Sequence, residues 1–241
     1  MRPTPDLIAQ ALRNCESEPV RTPGSIQPGG ALIAYDTDTR AVAFVSETAA
    51  DFLPGNLSAG ELLSADIDML VSNDVIHALN NSLTSALSTG RRSFVATIDG
   101  PTTQVDLHVF ASGSYTVLEL EPADPTGGLN AQTLQSVLQM MNRIEADTSE
   151  AAVLKDAVQL VRALTGYDRI IAYRFDQSYN GECIAEARSD TMESYLGLRF
   201  PASDIPAQAR AVMADVPLRY ILDTDAVPVG LLSRAEGLAS L

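Results

Sequence analysis

Residues 121–128 read EPADPTGG, two prolines and two glycines in eight positions. Proline lacks the N–H that an inner strand or a helix interior needs, and glycine gives up the most backbone freedom on ordering, so no regular element runs through this stretch. The 241 residues can hold one large domain or two, and this stretch reads as the boundary of a first one, after which a second unit begins. From Ala31 the segments ALIAYD, AVAFVS, RRSFVATID, VDLHVFAS and YTVLELE read as short strands, several alternating with period two between Gly, Asn, Asp and Ser turns. Two helical stretches, SAGELL and SNDVIHALNNSLTSAL, separate the second strand from the third, with Ser72 or Asn73 as N-cap of the longer one. This is an α+β pattern.

Beyond the break, LNAQTLQSVLQMMNRIEA places Leu134, Val137, Leu138, Met141 and Ile144 on one helical face, which must be covered. A second helix, TSEAAVLKDAVQLVRALTG, starts at Thr148 or Ser149 and stops at Gly166. Strands RIIAYRF and ECIAEAR follow. The turn-rich FPASDIPAQARAVM then becomes helical with Pro206 in the first turn, and LRYILDT reads as the last strand.

The chain is 46% apolar, enough for a real core, and its formal charge of −15 repels phosphate backbones and anionic lipid, so neither nucleic acid nor a membrane surface is an expected partner. Two distant cysteines form neither a disulfide framework nor a CxxC pair. No apolar run reaches the ~18 residues of a membrane span, the N-terminus lacks a signal-peptide core, and the expected location is the cytoplasm. Searching for HExxH, GxSxG, a Walker loop or GxGxxG finds none. His77 lies mid-helix, and His108 should face away from Val105, Leu107 and Val109 on its strand, so both read as structural or solvated. No acid–base pair stands out, and the expectation is a protein that is not an enzyme.

Two stretches remain. In NCESEPVRTPGSIQPGG, Cys15 sits on a polar run ahead of a proline- and glycine-punctuated loop, an odd place for a core thiol. In RFPASDIPAQAR, Pro201 and Pro206 stiffen the backbone around Asp204. Two readings stand for Asp204. It caps the helix starting at Ile205 or Pro206, or the stiff loop aims a carbonyl and a carboxylate at a ligand that carries fixed N–H donors.

Together these stretches resemble the photosensory region of phytochromes, most closely the bacterial, biliverdin-binding ones. There a cysteine in an N-terminal segment precedes an IQPHG motif that opens a PAS domain; the counterparts here are Cys15 and IQPGG, Ile26 to Gly30. YDRIIAYRF, GECIAEAR and FPASDIPAQAR are similar to the bilin pocket of the GAF domain that follows, in the same order, and the likeness runs from about Leu12 to about Asp225. It implies a 1–22 linking segment, a PAS domain over 23–124 and a GAF domain over 129–241, antiparallel sheets flanked by helices, with the N-terminal segment threading a GAF loop as a figure-of-eight knot.

The resemblance further implies a red/far-red photoreceptor holding biliverdin through a thioether to Cys15. Asp204 and the Ile205 carbonyl, beside Pro206, would face the pyrrole N–H groups; Tyr173 and Phe200 would surround the isomerising ring; Arg219 would hold a propionate. Cys183, in a strand, reads as packed or edge-exposed. A homodimer through GAF helices and an output domain on another chain are the implied partners. Three departures stand out: Gly29 replaces the family's usual histidine, Met213 stands where a tyrosine is common, and the chain stops at Leu241, before the second propionate arginine and a histidine pair, which leaves an apolar edge in need of cover. The rival readings are a chromophore-free PAS–GAF adaptor and a nucleotide-sensing GAF protein.

Overall fold

The computed structural model describes residues 24–124, 149–216 and 218–234, with Gln10 and seven residues between 134 and 142. Contacts group the chain into two compact units, 19–124 with 212–241 and 1–18 with 125–211. Both are α+β with antiparallel sheets, as expected.

In the first unit seven strands, β1 (Ser25–Ile26), β2 (Ala31–Asp36), β3 (Val42–Ser46), β4 (Ser93–Asp99), β5 (Gln104–Ser112), β6 (Tyr115–Pro122) and β10 (Val229–Ser233), form one sheet in the order β1-β10-β3-β2-β6-β5-β4. Three helices, α1 (Ala59–Leu63), α2 (Ile67–Leu70) and α3 (Asn73–Thr89), connect β3 to β4. β2 lies well inside the sheet and is covered on both faces, which explains its almost unbroken apolar run ALIAYD. Ala31, Ile33 and Tyr35 pack with Leu62, Ile67 and Leu79 of the helices, while Leu32 and Ala34 meet Phe44 and Val117 on the other face. α3 forms because Ser72 accepts the Val75 N–H at 3.4 Å and Gly90 ends it at φ 64°, a left-handed turn open to glycine. Val105, Leu107 and Val109 point inward, and His108 faces the other way, where Arg92 Nη2 lies 2.8 Å from its Nδ1.

The expected strand LRYILDT is not one. Leu218, Ile221 and Leu222 stay exposed, and the segment is held by a side chain: Gln27 Nε2 donates to the Tyr220 carbonyl at 2.6 Å and its Oε1 accepts the Leu222 N–H at 2.8 Å. The last strand comes seven residues after Leu222, at VGLLS, where two partners are available. β10 inserts between β1 and β3, pairing Ile26 with Val229 and Val45 with Leu232. An alternating pattern makes a strand only where an edge can receive it. Residues 129–241, expected as one domain, thus lend a strand to the other sheet, and the segment expected to thread through a loop lies outside the described residues.

In the second unit α4 (Glu150–Thr165) packs on a three-stranded sheet, β7 (Arg169–Phe175), β8 (Gly181–Arg188) and β9 (Arg199–Phe200), in the order β7-β8-β9. Ser149 caps α4 by accepting the Ala152 N–H at 3.2 Å, and Gly166 ends it at φ 71°. Of the preceding helix, the described positions are helical, and Leu134, Leu138 and Met141 are about half exposed. The proline loop leads into α5 (Ala207–Asp215); Pro206 precedes this helix instead of occupying its first turn, and its carbonyl accepts the Arg210 N–H at 3.0 Å. Among the described residues no helix is long and apolar enough to cross a membrane, and no His/Cys/Asp/Glu group is arranged to hold a metal.

Candidate functional site

The proline loop is built as a tight turn between two extended residues. Pro201 has ψ 157°, Ala202–Asp204 forms one 3-10 turn, and Ile205 returns to φ −128°, ψ 93°, as a residue before proline must. The Asp204 N–H donates back to the Pro201 carbonyl at 3.0 Å. The Asp204 carboxylate is exposed and makes no hydrogen bond to a described residue, so of its two readings the helix cap is not realised. Among the described residues, this acceptor on a stiff turn is left uncommitted. The Ile205 carbonyl, by contrast, already accepts from Arg210 Nη1, which also reaches the Ala202 carbonyl at 3.2 Å.

A row of aromatic rings lies on one face of the same unit. Ladder pairs place Tyr173 opposite Cys183, Phe175 opposite Gly181, and Gly181 opposite Phe200, so all project on one side. A bulge at Ala172/Tyr173 sets that register. Tyr173 stands edge-on to Phe175 (centroids 5.3 Å apart, 80°) and tilted to Phe200 (5.9 Å, 42°), and Phe200 meets Tyr195 at 6.0 Å. The Tyr173 ring fills the space over Gly181, where a Cβ would overlap it. Burial, then the Asp204 charge, push the Tyr173 phenol above its ordinary pKa.

The sequence reading missed Glu186, which fixes the end of this row. Only 4% of its side chain is exposed. Its carboxylate faces Arg169 Nε at 3.2 Å and Arg188 Nε at 3.7 Å, and accepts from Ser194 Oγ at 2.7 Å and the Tyr195 N–H at 3.1 Å. Burial pushes this acid's pKa up, but the Ser194 and Tyr195 hydrogen bonds and the Arg169 charge outweigh it and hold it below the ordinary value. Arg169 in turn stacks 3.7 Å from the Tyr195 ring centroid. Beyond Arg188, two residues on, the partners of Glu186 come from elsewhere, Arg169 from β7 and Ser194 and Tyr195 from a loop that returns to the strand, so the local sequence does not mark it.

The other expected residues scatter. Cys15 lies outside the described residues. Cys183 is fully buried with Sγ 3.6 Å from the Ala185 carbonyl, so it is packed instead of edge-exposed, and burial, then the Glu186 charge, push its thiol pKa up. Ile26 sits in β1, partly buried against the Leu32 and Phe44 cluster. Met213 in α5 is half exposed, and Arg219 is exposed with no ion pair to a described residue. These last three belong to the first unit.

A family model described as a PAS fold matches residues 15–123. The bacteriophytochrome of Pseudomonas aeruginosa is 36% identical over 222 residues, which cover 90% of this chain and 29% of that protein; that of Xanthomonas campestris is 33% identical over 89% of this chain and 33% of its own length. The chain thus spans about a third of these curated relatives. The chromophore-binding domain of Stigmatella aurantiaca phytochrome P1 superposes with a TM-score of 0.77 at 31% identity, over 94% of this chain and 76% of that one. That of an unusual bacteriophytochrome from R. palustris gives 0.76 at 31%, over 94% and 74%. Identity above 30% along about nine-tenths of the chain and a superposition over the same span have one source: this chain belongs to the phytochrome family.

Proposed function

We propose that the chain is a light-sensing module that binds a linear tetrapyrrole, biliverdin, and is not an enzyme. The observation that carries this reading is the Asp204 carboxylate, unpaired among the described residues, on a turn that follows directly on Phe200 of the aromatic row. The chemistry of these groups suits the pigment: an anionic acceptor matches convergent pyrrole N–H donors, and flat rings match a conjugated apolar body. Because Arg210 occupies one lone pair of the Ile205 carbonyl, Asp204 is the primary acceptor and Ile205 a secondary one. Tyr173 and Phe200 would exclude water from the pigment, and Arg219 would hold a propionate through its fork of donors. Cys15 would supply the thiolate for a thioether. Biliverdin, when bound, would supply the red absorption and the light-driven isomerisation.

The half-exposed Leu134, Leu138 and Met141 fit a homodimer through this helix, which would pass the signal to an output domain in the cytoplasm. The same residues favour a second reading, a chromophore-free adaptor. Adding biliverdin and recording the visible spectrum decides between them. A red band that survives acid denaturation in the wild type and is lost on denaturation in Cys15→Ala is the expected result; a protein that stays colourless with biliverdin overturns the pigment reading in favour of the adaptor.

A further inference from the structure

The acceptor turn is held from outside itself, by the hairpin loop that joins β7 to β8. Resting on the bilin reading for what the turn presents, we propose that Arg210 and Asn180 are positioning residues that lock the Ala202–Ile205 backbone and leave Asp204 as its outward acceptor. The hairpin loop, DQSYN, is folded by Asp176, whose Oδ1 accepts the N–H groups of Ser178 at 2.8 Å and Asn180 at 2.9 Å. Asp176 Oδ2 also takes Asn180 Nδ2 at 3.1 Å, which turns the Asn180 amide so that its Oδ1 accepts the Ala202 N–H at 3.2 Å. This is the first hold on the turn.

The second comes from the other side. Arg210, in the first turns of α5, donates from one nitrogen to the carbonyls of both Ala202 and Ile205. Its guanidinium lies 4.3 Å from the centroid of Tyr179, a hairpin-loop residue at φ 62°, a left-handed geometry that tyrosine rarely adopts. A planar guanidinium can lie against the ring while its in-plane N–H groups reach the two carbonyls, a geometry that a tetrahedral lysine ammonium does not reproduce. With Ala202 tied at its N–H and its carbonyl, and Ile205 at its carbonyl, Asp204 is the one acidic group in the turn free to turn toward a ligand. Charge-assisted hydrogen bonds to backbone make the turn rigid without burying it.

The test compares wild type, Arg210→Gln, Arg210→Lys and Asn180→Ala by hydrogen exchange of the whole chain without pigment, then by pH titration of the red band after adding biliverdin. Arg210→Gln and Asn180→Ala are expected to speed exchange at the Ala202 and Asp204 amides about tenfold, the loss of roughly one strong hydrogen bond, with β7 and β8 amides unchanged. Arg210→Lys should restore little of that protection. The pH at which the red band bleaches should fall in Arg210→Gln, because a loose acceptor holds a protonated pigment less well. Unchanged exchange at Ala202 and Asp204 overturns the positioning role, and so does a bleaching pH identical to wild type. A colourless wild type whose Ala202 exchange still answers to Arg210 overturns the bilin reading and supports the clamp.

Discussion

Gly181 carries the aromatic row, and replacing it by alanine is the sharpest perturbation of the site. It is buried in β8, between Phe175 and Phe200 in the ladder, and a methyl group built on it overlaps the Tyr173 ring. The backbone on either side is fixed by the ladder, so the ring must move instead. Leaving its place, Tyr173 gives up the edge contact with Phe175 at 5.3 Å and the tilted one with Phe200 at 5.9 Å. Such aromatic pairs contribute about 0.5–1.5 kcal/mol each beyond their buried area, so roughly 1–3 kcal/mol is lost. Alanine is better than glycine in a strand by about 0.5–1 kcal/mol, which offsets part of this and leaves a net cost of roughly 0–2.5 kcal/mol. In a Tyr173→Ala background nothing remains to be displaced, and the same substitution should be neutral or stabilising by about 0.5 kcal/mol. A double-mutant cycle read from the exchange of β7 and β8 amides isolates this unit from the other. An equal cost of Gly181→Ala in both backgrounds refutes the reasoning, because the strain would then lie in the backbone.

Two other perturbations probe the first unit. The His108 pKa is lowered, by burial and then by the Arg92 charge, against weaker opposite pulls from Glu121 and Asp106. The unfolded state therefore binds the proton first, so stability should fall as pH drops below the usual histidine range toward the folded value, and level off beneath it. His108→Gln should flatten that limb in urea melts taken across the range; an unaltered limb in the variant contradicts the assignment. Gln27→Ala removes the two Gln27 hydrogen bonds to Tyr220 and Leu222 and leaves the bond from Tyr220 Oη to Glu121 in place, a loss of about 1–2 kcal/mol that should appear as faster exchange of the Leu222 amide. No change there means the segment is held by something other than Gln27.

Local chemistry was readable from the sequence, and returning chemistry was not. Ser72 and Gly90 mark the ends of α3, and Ser149 and Gly166 those of α4, because caps act within one turn of the chain. The proline turn was readable for the same reason, and so was the family, whose motifs lie in order. LRYILDT has a strand's alternation, yet its placement depended on whether an edge was open to it, and Gln27, nearly two hundred residues earlier, answered that. Glu186 and Arg210 were invisible alike. One acts on a loop that doubles back to its strand, the other on carbonyls five and eight residues earlier that converge only once the turn has formed.

The two units hold their shape by different means, and the difference falls where the candidate site lies. Of the described buried apolar side chains, Val158, Leu160, Cys183 and Ala185 belong to the second unit, while the first buries a continuous cluster from Ala31 to Leu120. Hydrophobic burial is non-directional: it stabilises a sheet without fixing where one carboxylate points. Hydrogen bonds fix direction but each contributes only about 1 kcal/mol net. The site residues are held by the directional kind: Asp176 through Asn180, Arg210 through two carbonyls, Glu186 through Ser194 and Tyr195. A turn held this way keeps its geometry while its aromatic neighbours stay half open, and it remains sensitive to a single lost donor. Substitutions at these polar supports should therefore change what the site presents long before they unfold the unit, whereas substitutions at Val158 or Leu160 should do the reverse.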